Sequence, residues 1–212
     1  MHILVIGASG RVGNQLTAKL LQANHRVVGT TRQEKQLFED PNYSQINLDL
    51  LGSTAAIEAN IPEGIEAIYF VSGSRGKDLL QVDLHGAVKT MKAAARKKVK
   101  RYILLSTVFA LRPASWQDNL PEEMFDYYIA KHYADDWLIH HADLNYTILQ
   151  PSALTEEQGS GKIVTNVEEA GENSIENVAT TLFEVLNHPN AYHKVISMKD
   201  GEVPIKEAIT LL

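Results

Sequence analysis

The sequence predicts an α/β protein built on a doubly wound parallel sheet, and three observations lead to this fold class. Apolar segments of strand length alternate with helical patterns along most of the 212 residues. The chain opens with a strand, a glycine-rich turn, a helix and a second strand within about 30 residues, the size of a βαβ unit. Right-handed crossovers between such units place helices on both faces of the sheet.

The predicted parallel strands are short runs in which apolar residues predominate. A continuous run of branched apolar residues is typical of a strand that is covered on both faces, whereas a half-exposed strand alternates. In chain order, strands are predicted at residues 3–6, 26–31, 44–48, 67–71, 102–105 and 146–149.

The predicted helices between these strands have apolar residues at helical spacing. In the first helix, Val12, Leu16 and Leu20 fall on one stripe. Ser53 and Ser174 each precede a helical pattern at the N-cap position, where a hydroxyl can accept from a free backbone amide. The helices are predicted at residues 12–23, 53–60, 78–98, 121–140, 175–188 and 205–211.

The whole chain, residues 1–212, is predicted to form one domain. Residues 1–150 would be the core, and residues 151–212 a small C-terminal substrate lobe packed on it. The sequence becomes rich in Gly, Glu and Ser after Pro151, with further strands predicted at 162–165 and 193–198. The lobe would lie at the carboxyl ends of the strands, where open α/β folds bind their ligands.

Composition excludes several classes of function. The chain has 20 Lys and Arg against 26 Asp and Glu, a net charge of −6, which argues against a general nucleic-acid binder. No apolar run approaches the ~18 residues of a membrane span. The absence of cysteine excludes disulfides, thiolate catalysis and cysteine–zinc sites. The N-terminus lacks the features of a signal peptide, so we expect a cytoplasmic protein.

The first predicted strand ends in a glycine turn, residues 7–13, with the sequence GASGRVG. Gly7 would let the chain turn sharply, Gly10 would let the backbone approach a ligand, and Gly13 would permit close helix–strand packing. Free amides and the positive end of the helix dipole would then face an anion such as a pyrophosphate. Since the glycines lie directly between strand and helix, the sequence predicts a nucleotide site.

Two arginines bear on which nucleotide would bind. Thr31 and Arg32 follow the second strand, about 20 residues beyond the glycine turn, where an NAD site normally offers an acidic residue. Arginine suits a 2′-phosphate through a bidentate contact, and Arg11 could add a second positive charge. NADP(H) is therefore favoured over NAD(H), although both arginines could also be ordinary solvated surface residues.

Candidate catalytic groups lie at Thr107, Tyr127 and Lys131. Tyr127 and Lys131 are one helical turn apart, so an ammonium near the phenol would lower its pKa from ~10 and make it a usable acid or base. Thr107, at the carboxyl end of the fifth strand, could polarise a carbonyl or simply end the strand. The same helix carries Asp135 and Asp136 together with three histidines, at 132, 140 and 141. Their spacing matches no metal motif, and we expect these residues at the surface.

Together these motifs resemble the short-chain dehydrogenase/reductase superfamily. More narrowly, they resemble its atypical NAD(P)-binding branch, which includes NmrA-like proteins and flavin/biliverdin-type reductases. The likeness covers essentially the whole chain, and it implies a Rossmann-type fold and a pyridine dinucleotide cofactor. The segments that carry it are residues 7–13, Thr31-Arg32, Asn47-Leu48-Asp49-Leu50, Ser106-Thr107, Tyr127-x-x-x-Lys131 and residues 146–151.

The resemblance also implies roles for individual residues. Asp49 would accept a hydrogen bond from the adenine amine with Leu50 beside the ring, and Lys131 would hold the nicotinamide ribose. Val71 to Gly73 would line the middle of the cofactor, and Pro151 to Leu154 would border the carboxamide. The full predicted cofactor set is Gly7, Ser9, Gly10, Arg11, Val12, Gly13, Thr31, Arg32, Asp49, Leu50, Val71, Ser72, Gly73, Ser106, Lys131, Pro151, Ser152, Ala153 and Leu154.

Three positions depart from the pattern of the family. Gln150 stands where many relatives have arginine, and Ser152 where many have glycine. The segment around Asp83 lies where catalytic members often supply an asparagine to a proton relay. The role of Tyr127 as acid or base is therefore an expectation that these departures leave open.

The function expected is that of an NADP(H)-dependent oxidoreductase that transfers hydride to a small carbonyl, quinone or flavin-like acceptor. A non-catalytic NADP(H)-binding redox sensor that regulates a protein partner is the first alternative. A nucleotide-sugar epimerase or dehydratase, which needs a large second pocket, is the second. We expect a small-molecule substrate, no nucleic acid, no membrane and no metal, and we allow for a homodimer.

Overall fold

A nine-stranded sheet forms the centre of the computed structural model, which describes residues 1–212 apart from the side chains of residues 118 and 119. A two-stranded sheet accompanies it. The strands are β1 (His2–Ile6), β2 (Arg26–Thr30), β3 (Tyr43–Ile46), β4 (Ala67–Phe70), β5 (Arg101–Leu105), β6 (Asn145–Pro151), β7 (Ala153–Thr155), β8 (Lys162–Thr165), β9 (Glu172–Ser174), β10 (Lys194–Asp200) and β11 (Val203–Pro204).

The order of strands in the large sheet is β11-β8-β10-β6-β5-β4-β1-β2-β3. Every neighbouring pair from β3 to β10 is parallel, and β8 and β11 add an antiparallel edge. The chain runs outward in one direction from β1 to β3 and in the other from β4 to β6. This reversal beside β1 opens a crevice at the carboxyl ends of the strands. The prediction of a Rossmann-type, doubly wound sheet is confirmed.

Helices cover both faces of this sheet. They are α1 (Arg11–Gln22), α2 (Thr54–Asn60), α3 (Ala87–Arg96), α4 (Trp116–Asn119), α5 (Phe125–His141), α6 (Ile175–Glu184) and α7 (Ile205–Thr210). One buried cluster joins α1, α6 and α7 to the sheet, and another joins α2, α3 and α5 to the opposite face. No helix in the described part of the chain is both long and apolar enough to cross a membrane.

Both predicted serine N-caps are confirmed. The Ser53 hydroxyl accepts from the Ala56 amide at 3.1 Å, and the Ser174 hydroxyl accepts from the Asn177 amide at 3.1 Å. Each bond satisfies one of the free amides of a first helical turn, so these serines fix where α2 and α6 begin.

The predicted helix over 78–98 is not uniform, because Leu79–Gly86 is a π-helix and α3 begins only at Ala87. The wider turns carry Asp83 into the interior, where its Oδ2 accepts from the Ser74 amide at 2.9 Å. π-Helical turns are rare and frequently occur at functional sites. The expectation of a continuous α-helix was wrong here. The spacing of apolar residues along the chain does not reveal the contact between Asp83 and Ser74.

The C-terminal segment is built into the same sheet as the core. The strands predicted at 162–165 and 193–198 are confirmed as β8 and β10, and β10 pairs in parallel with β6. The separate two-stranded sheet consists of β7 and β9. The division of the single domain into a core and a substrate lobe stays a prediction.

A hydrogen-bond network around the Asp200 carboxylate holds this segment together. One oxygen accepts from the side-chain amides of Asn173 at 3.0 Å and Asn177 at 2.9 Å, and the other accepts from the Ser174 amide at 2.9 Å. Asn173 and Asn177 are buried. Because buried amides must find partners, Asp200 ties the end of β10 to β9 and to the start of α6.

We expect Asp200→Asn to lower the free energy of unfolding by about 1–3 kcal/mol, because the new amide cannot accept the same set of bonds. Equilibrium urea unfolding measures the change. The control is Glu202→Gln, since that exposed carboxylate makes only a surface ion pair with Lys162 at 3.5 Å. Equal stabilities of the two variants would contradict the role given to Asp200.

Candidate functional site

A cleft of about 230 Å³ lies at the carboxyl ends of β1, β4, β5 and β6. It also includes Arg75, Asp83 and Leu105, which the sequence did not indicate as site residues. The predicted site residues that line it are Gly10, Arg11, Val12, Val71, Ser72, Gly73, Ser106, Thr107, Tyr127, Lys131, Pro151, Ser152 and Leu154. Those outside this lining are Gly7, Ser9, Gly13, Thr31, Arg32, Asp49, Leu50 and Ala153.

A second depression of about 240 Å³ lies between residues 62–66 and 97–100, which precede β4 and β5. It is therefore at the amino ends of the strands and contains none of the predicted site residues. Open parallel sheets bind ligands at the opposite, carboxyl edge. We take the carboxyl-edge cleft as the candidate site.

Two glycines make the turn between β1 and α1 possible. Gly7 has a φ of +99°, and a Cβ there would lie 2.8 Å from the Ser72 backbone. A Cβ on Gly13 would lie 2.2 Å from the Gly7 carbonyl oxygen. Any larger residue would push β1, β4 and α1 apart. Gly7 and Gly13 therefore allow the close packing on which the shape of the cleft depends, although neither residue lines it.

The start of α1 presents free backbone amides. Its first α-helical bond runs from the Asn14 amide to the Gly10 carbonyl at 2.9 Å, so the amides of residues 11–13 have no acceptor within the helix. Within the described part of the chain, no side chain caps this end, and its first turn has no acidic residue. The positive end of the helix dipole faces the cleft, and this arrangement fits a pyrophosphate.

Arg11 has an acidic partner across the mouth of the cleft. Its guanidinium contacts Glu156 at 2.8 Å, and both side chains are more than half exposed. Glu156 follows β7, so the pair links the glycine turn to the C-terminal segment. A bound phosphate would compete with Glu156 for this guanidinium.

Thr31 and Arg32 follow β2 at the same edge of the sheet as the glycine turn, since β1 and β2 are parallel. Thr31 is buried, and its hydroxyl accepts from the Gln33 amide at 3.0 Å. Arg32 is exposed. Its position is compatible with the predicted phosphate contact, which stays a prediction.

Two hydrogen bonds hold the loop that contains Asp49 and Leu50 in place. Asp49 is exposed, and its Oδ1 accepts from the Leu51 amide at 2.9 Å. Lys89, a buried lysine on α3, donates to the Gly52 carbonyl at 2.8 Å. These bonds fix the loop, while the adenine contacts predicted for Asp49 and Leu50 remain untested.

Tyr127 and Lys131 both line the cleft from α5, as their spacing predicts. The Lys131 ammonium lies over the Tyr127 ring, 5.7 Å from its centroid, and donates to the Leu105 carbonyl at 3.3 Å. Asp83 Oδ1 lies 3.8 Å from this ammonium, and both side chains are almost completely buried. The positive charge of Lys131 is therefore offset by the carboxylate of Asp83. The sequence had indicated Asp83 only as a departure from the pattern of the family.

The side chain of Thr107 is hydrogen-bonded to Tyr128, the residue that follows Tyr127. Burial raises the pKa of Tyr128, and a hydrogen bond with the Thr107 side chain opposes that rise. Tyr128 packs in a buried cluster with Phe109 and Trp116, whose ring centroid is 5.7 Å from its own. Tyr127 thus lines the cleft, whereas Tyr128 packs in the buried cluster beside it. Thr107 lines the cleft and is hydrogen-bonded to Tyr128.

Asp135 is the residue that sequence reasoning placed wrongly, because it is completely buried and not at the surface. Its Oδ2 accepts from the Ser106 hydroxyl at 2.7 Å and from the Gln150 side-chain amide at 2.8 Å. Its Oδ1 has no hydrogen-bond partner among the described residues. Burial raises the pKa of Asp135 to about 7, opposed by the bonds from Ser106 and Gln150 and by the charge of Lys131.

The signal for Asp135 was present in the sequence. Tyr127, Lys131 and Asp135 are spaced four residues apart and so lie on one face of α5. Asp136, the next residue, lies on another face, is partly exposed and contacts His140 at 3.6 Å. Extending the Tyr–Lys spacing by one further turn would have distinguished the two aspartates.

Comparison with known proteins agrees with this geometry. Residues 7–189 match a family model described as NAD(P)H-binding, so the chain belongs to this NAD(P)H-binding family. The match covers most of the chain, including the glycine turn, Lys131 and Asp135. It confirms the NAD(P)-binding character that the resemblance implied.

Individual relatives carry different functional names. A Bacillus subtilis (strain 168) protein named uncharacterized sugar epimerase YhfK is 34% identical over 221 residues, with 100% of both chains covered. The crystal structure of the oxidoreductase ylbE from Lactococcus lactis has a TM-score of 0.94 and 41% identity, covering 100% of this chain and 96% of the other. A short-chain dehydrogenase/reductase from Veillonella parvula DSM 2008, solved with NADP, shares the fold, with a TM-score of 0.73, 22% identity and 96% of each chain covered.

We expect the free energy of unfolding to fall as the pH rises from about 4 to about 7, by up to about 1.4 kcal/mol per pH unit from Asp135 alone. The reason is that the folded protein binds this proton more tightly than the unfolded chain, in which the carboxyl keeps its ordinary pKa of 3.8. The Asp135→Asn variant should lose this contribution. Urea unfolding of wild type and variant over this pH range measures the difference.

Asp136→Asn is the matched control, since it removes a neighbouring carboxylate that is partly exposed. It should keep the wild-type dependence on pH. If the stabilities of wild type and Asp135→Asn run parallel from about pH 4 to about pH 7, Asp135 does not hold its proton in the folded state.

Proposed function

We propose that this protein is an NADP(H)-dependent oxidoreductase that transfers hydride to a small carbonyl, quinone or flavin-like acceptor. One observation carries the proposal. The uncapped start of α1 and the polar side chains of Ser106, Tyr127 and Lys131 share a single cleft. An anion site beside hydrogen-bonding groups suits a dinucleotide that supplies the hydride while the protein supplies orientation and electrostatics.

The residues present fit such a cofactor. The amides of residues 11–13 would hold the pyrophosphate, and Lys131 would hold the nicotinamide ribose. Asp49 and Leu50 would contact the adenine, and the segments 71–73 and 151–154 would border the middle and the nicotinamide end. Thr107 and Tyr127 would position the acceptor oxygen from opposite sides of the cleft.

The size of the cleft favours a small acceptor over a nucleotide sugar. Ligand pockets typically enclose roughly 300–1,000 Å³, and this cleft of about 230 Å³ must also take part of the cofactor. The name of the Bacillus subtilis relative is the observation in favour of an epimerase. An epimerase would need a second large pocket beside the nicotinamide.

The positive charge at the edge of the sheet supports NADP(H) over NAD(H). Arg32 is exposed and has no ion-pair partner among the residues whose side chains are described. Its guanidinium would thus be available to a 2′-phosphate. The Veillonella parvula protein, which shares the fold, was solved with NADP.

We expect Arg32→Ala to weaken NADPH binding by about 1.5–3 kcal/mol and to leave NADH binding nearly unchanged, since only NADPH carries the 2′-phosphate. Titration calorimetry with both dinucleotides measures the split. Arg26→Ala removes the same exposed side chain at the other end of β2 and should change neither affinity. Equal losses for NADPH and NADH in Arg32→Ala would remove this residue from the phosphate contact.

We expect wild-type protein to oxidise NADPH, followed by its absorbance, with at least one of a panel of aldehydes, ketones, quinones and flavins. Lys131→Met should weaken NADPH binding by about tenfold, because a charge-assisted hydrogen bond to the ribose is lost. The control Lys162→Met removes an exposed lysine of β8. Tight binding of NADPH with no turnover of any acceptor would contradict the oxidoreductase and favour the redox sensor.

A further inference from the structure

We propose that Ser106 and Asp135 form a proton relay to the cleft, in which Ser106 protonates the acceptor oxygen and Asp135 resupplies Ser106 from the interior. The inference rests on the oxidoreductase function proposed above and adds to it the source of the proton. It also narrows the acceptor class to a carbonyl compound, in which an oxygen must gain a proton when the neighbouring carbon gains a hydride.

Ser106 is the bridge between the cleft and the interior. It follows β5 and is 4% exposed, yet it lines the cleft, and its hydroxyl lies 2.7 Å from the Asp135 Oδ2. Asp135 is 0% exposed and does not line the cleft. Of the two described hydrogen-bond partners of Asp135, Ser106 lines the cleft and Gln150 does not.

The protonation state of Asp135 sets the direction in which Ser106 donates. When Asp135 is ionised, its Oδ2 accepts the single hydroxyl hydrogen of Ser106, so that Ser106 has no hydrogen to donate to a bound molecule. When Oδ2 carries a proton, that proton is donated to the Ser106 oxygen, and the hydrogen of Ser106 is free to turn to the cleft. A hydroxyl is suited to such a relay because it can donate and accept at once.

The surroundings of Asp135 support its holding a proton near neutrality. Ser106, directly after β5, and Gln150 from β6 are neutral donors, and both donate to Oδ2. Lys131, one turn earlier on α5, is the cation that acts on the carboxyl, and Asp83 offsets it at 3.8 Å from the other side. An ionised Asp135 would also leave its Oδ1 charged, buried and without a described partner. Burial accordingly raises its pKa to about 7.

The transfer balances in atoms and electrons. The carbonyl carbon of the acceptor gains the hydride that the bound cofactor supplies, and the cofactor leaves oxidised by two electrons. The carbonyl oxygen takes the hydrogen of Ser106 as the carbon–oxygen double bond becomes single. Ser106 takes the proton of Asp135, which remains as a carboxylate. Once the alcohol has left, a proton from solvent returns along the same path through Ser106.

The first arm of the test uses the protein without cofactor or acceptor. Infrared spectra at about pH 6 and about pH 9 should show the carbonyl stretch of a buried carboxylic acid at the lower pH and its loss at the higher. Asp135→Asn should abolish this difference, and Asp136→Asn should retain it. A carboxylate that stays ionised at both pH values overturns the relay whatever the protein catalyses.

The second arm follows kcat against pH for a carbonyl acceptor that wild type reduces. We expect wild-type kcat to fall as the pH rises through about 7, because the ionised form of Asp135 cannot resupply Ser106. Asp135→Asn and Ser106→Ala should each lower kcat by about 100-fold and remove this ionisation from the profile. Asp135→Asn should retain its affinity for NADPH, because Asp135 does not line the cleft. Asp136→Asn should behave as wild type.

Tyr127→Phe separates the relay from the alternative donor. A wild-type pH profile in Asp135→Asn, together with its loss in Tyr127→Phe, would assign the proton to Tyr127 and overturn the relay, while the oxidoreductase function stands. If wild type binds NADPH but reduces no acceptor, the proposed function fails and the relay fails with it. If Asp135→Asn does not fold, Ser106→Ala still tests the relay through its kcat and pH profile, because this variant removes only a hydroxyl.

Discussion

The close approach of two turns, at Gly7 and Ser72, is the constraint on which the rest of the site depends. Only a hydrogen atom fits between the Gly7 Cα and the Ser72 backbone, and only a hydrogen fits between Gly13 and the Gly7 carbonyl. Because these contacts are so close, β1, β4 and the start of α1 converge on one cleft. The free amides of α1 then face that cleft and have no competing cap among the described side chains.

The second half of the site depends on one face of α5. Tyr127, Lys131 and Asp135 lie on successive turns of this face. Tyr127 and Lys131 line the cleft, whereas Asp135 is completely buried. The Lys131 ammonium is 3.8 Å from the Asp83 carboxylate, and its charge also acts on the Asp135 carboxyl. Desolvation by burial raises the pKa of Asp135 to about 7, and the hydrogen bonds from Ser106 and Gln150 and the charge of Lys131 oppose that rise.

The C-terminal segment contributes to the site because it is part of the same sheet. β6 supplies Pro151 directly to the cleft, and β10 extends the sheet beside β6. The carboxylate of Asp200 joins the far end of β10 to β9 and α6. A wall of the cleft is thus fixed by bonds that lie outside the cleft, and the exposed Arg11–Glu156 ion pair links the glycine turn to the C-terminal segment.

The sequence by itself determined the parallel strands, the covering helices, the serine caps and the glycine turn. It also identified most of the residues that line the cleft. The strands, helices, caps and glycine turn follow from patterns among residues that are close along the chain, whereas cleft residues such as Val71, Ser72 and Gly73 were implied by the resemblance to the family. The tertiary structure alone decided the π-helical course of 79–86 and the burial of Asp135. It also decided the pairing of Lys131 with Asp83. These features depend on distant partners, such as Ser106, which lies 29 residues from Asp135. The spacing of four residues places Asp135 on the same face of α5 as Lys131, but it does not show which distant groups meet that face.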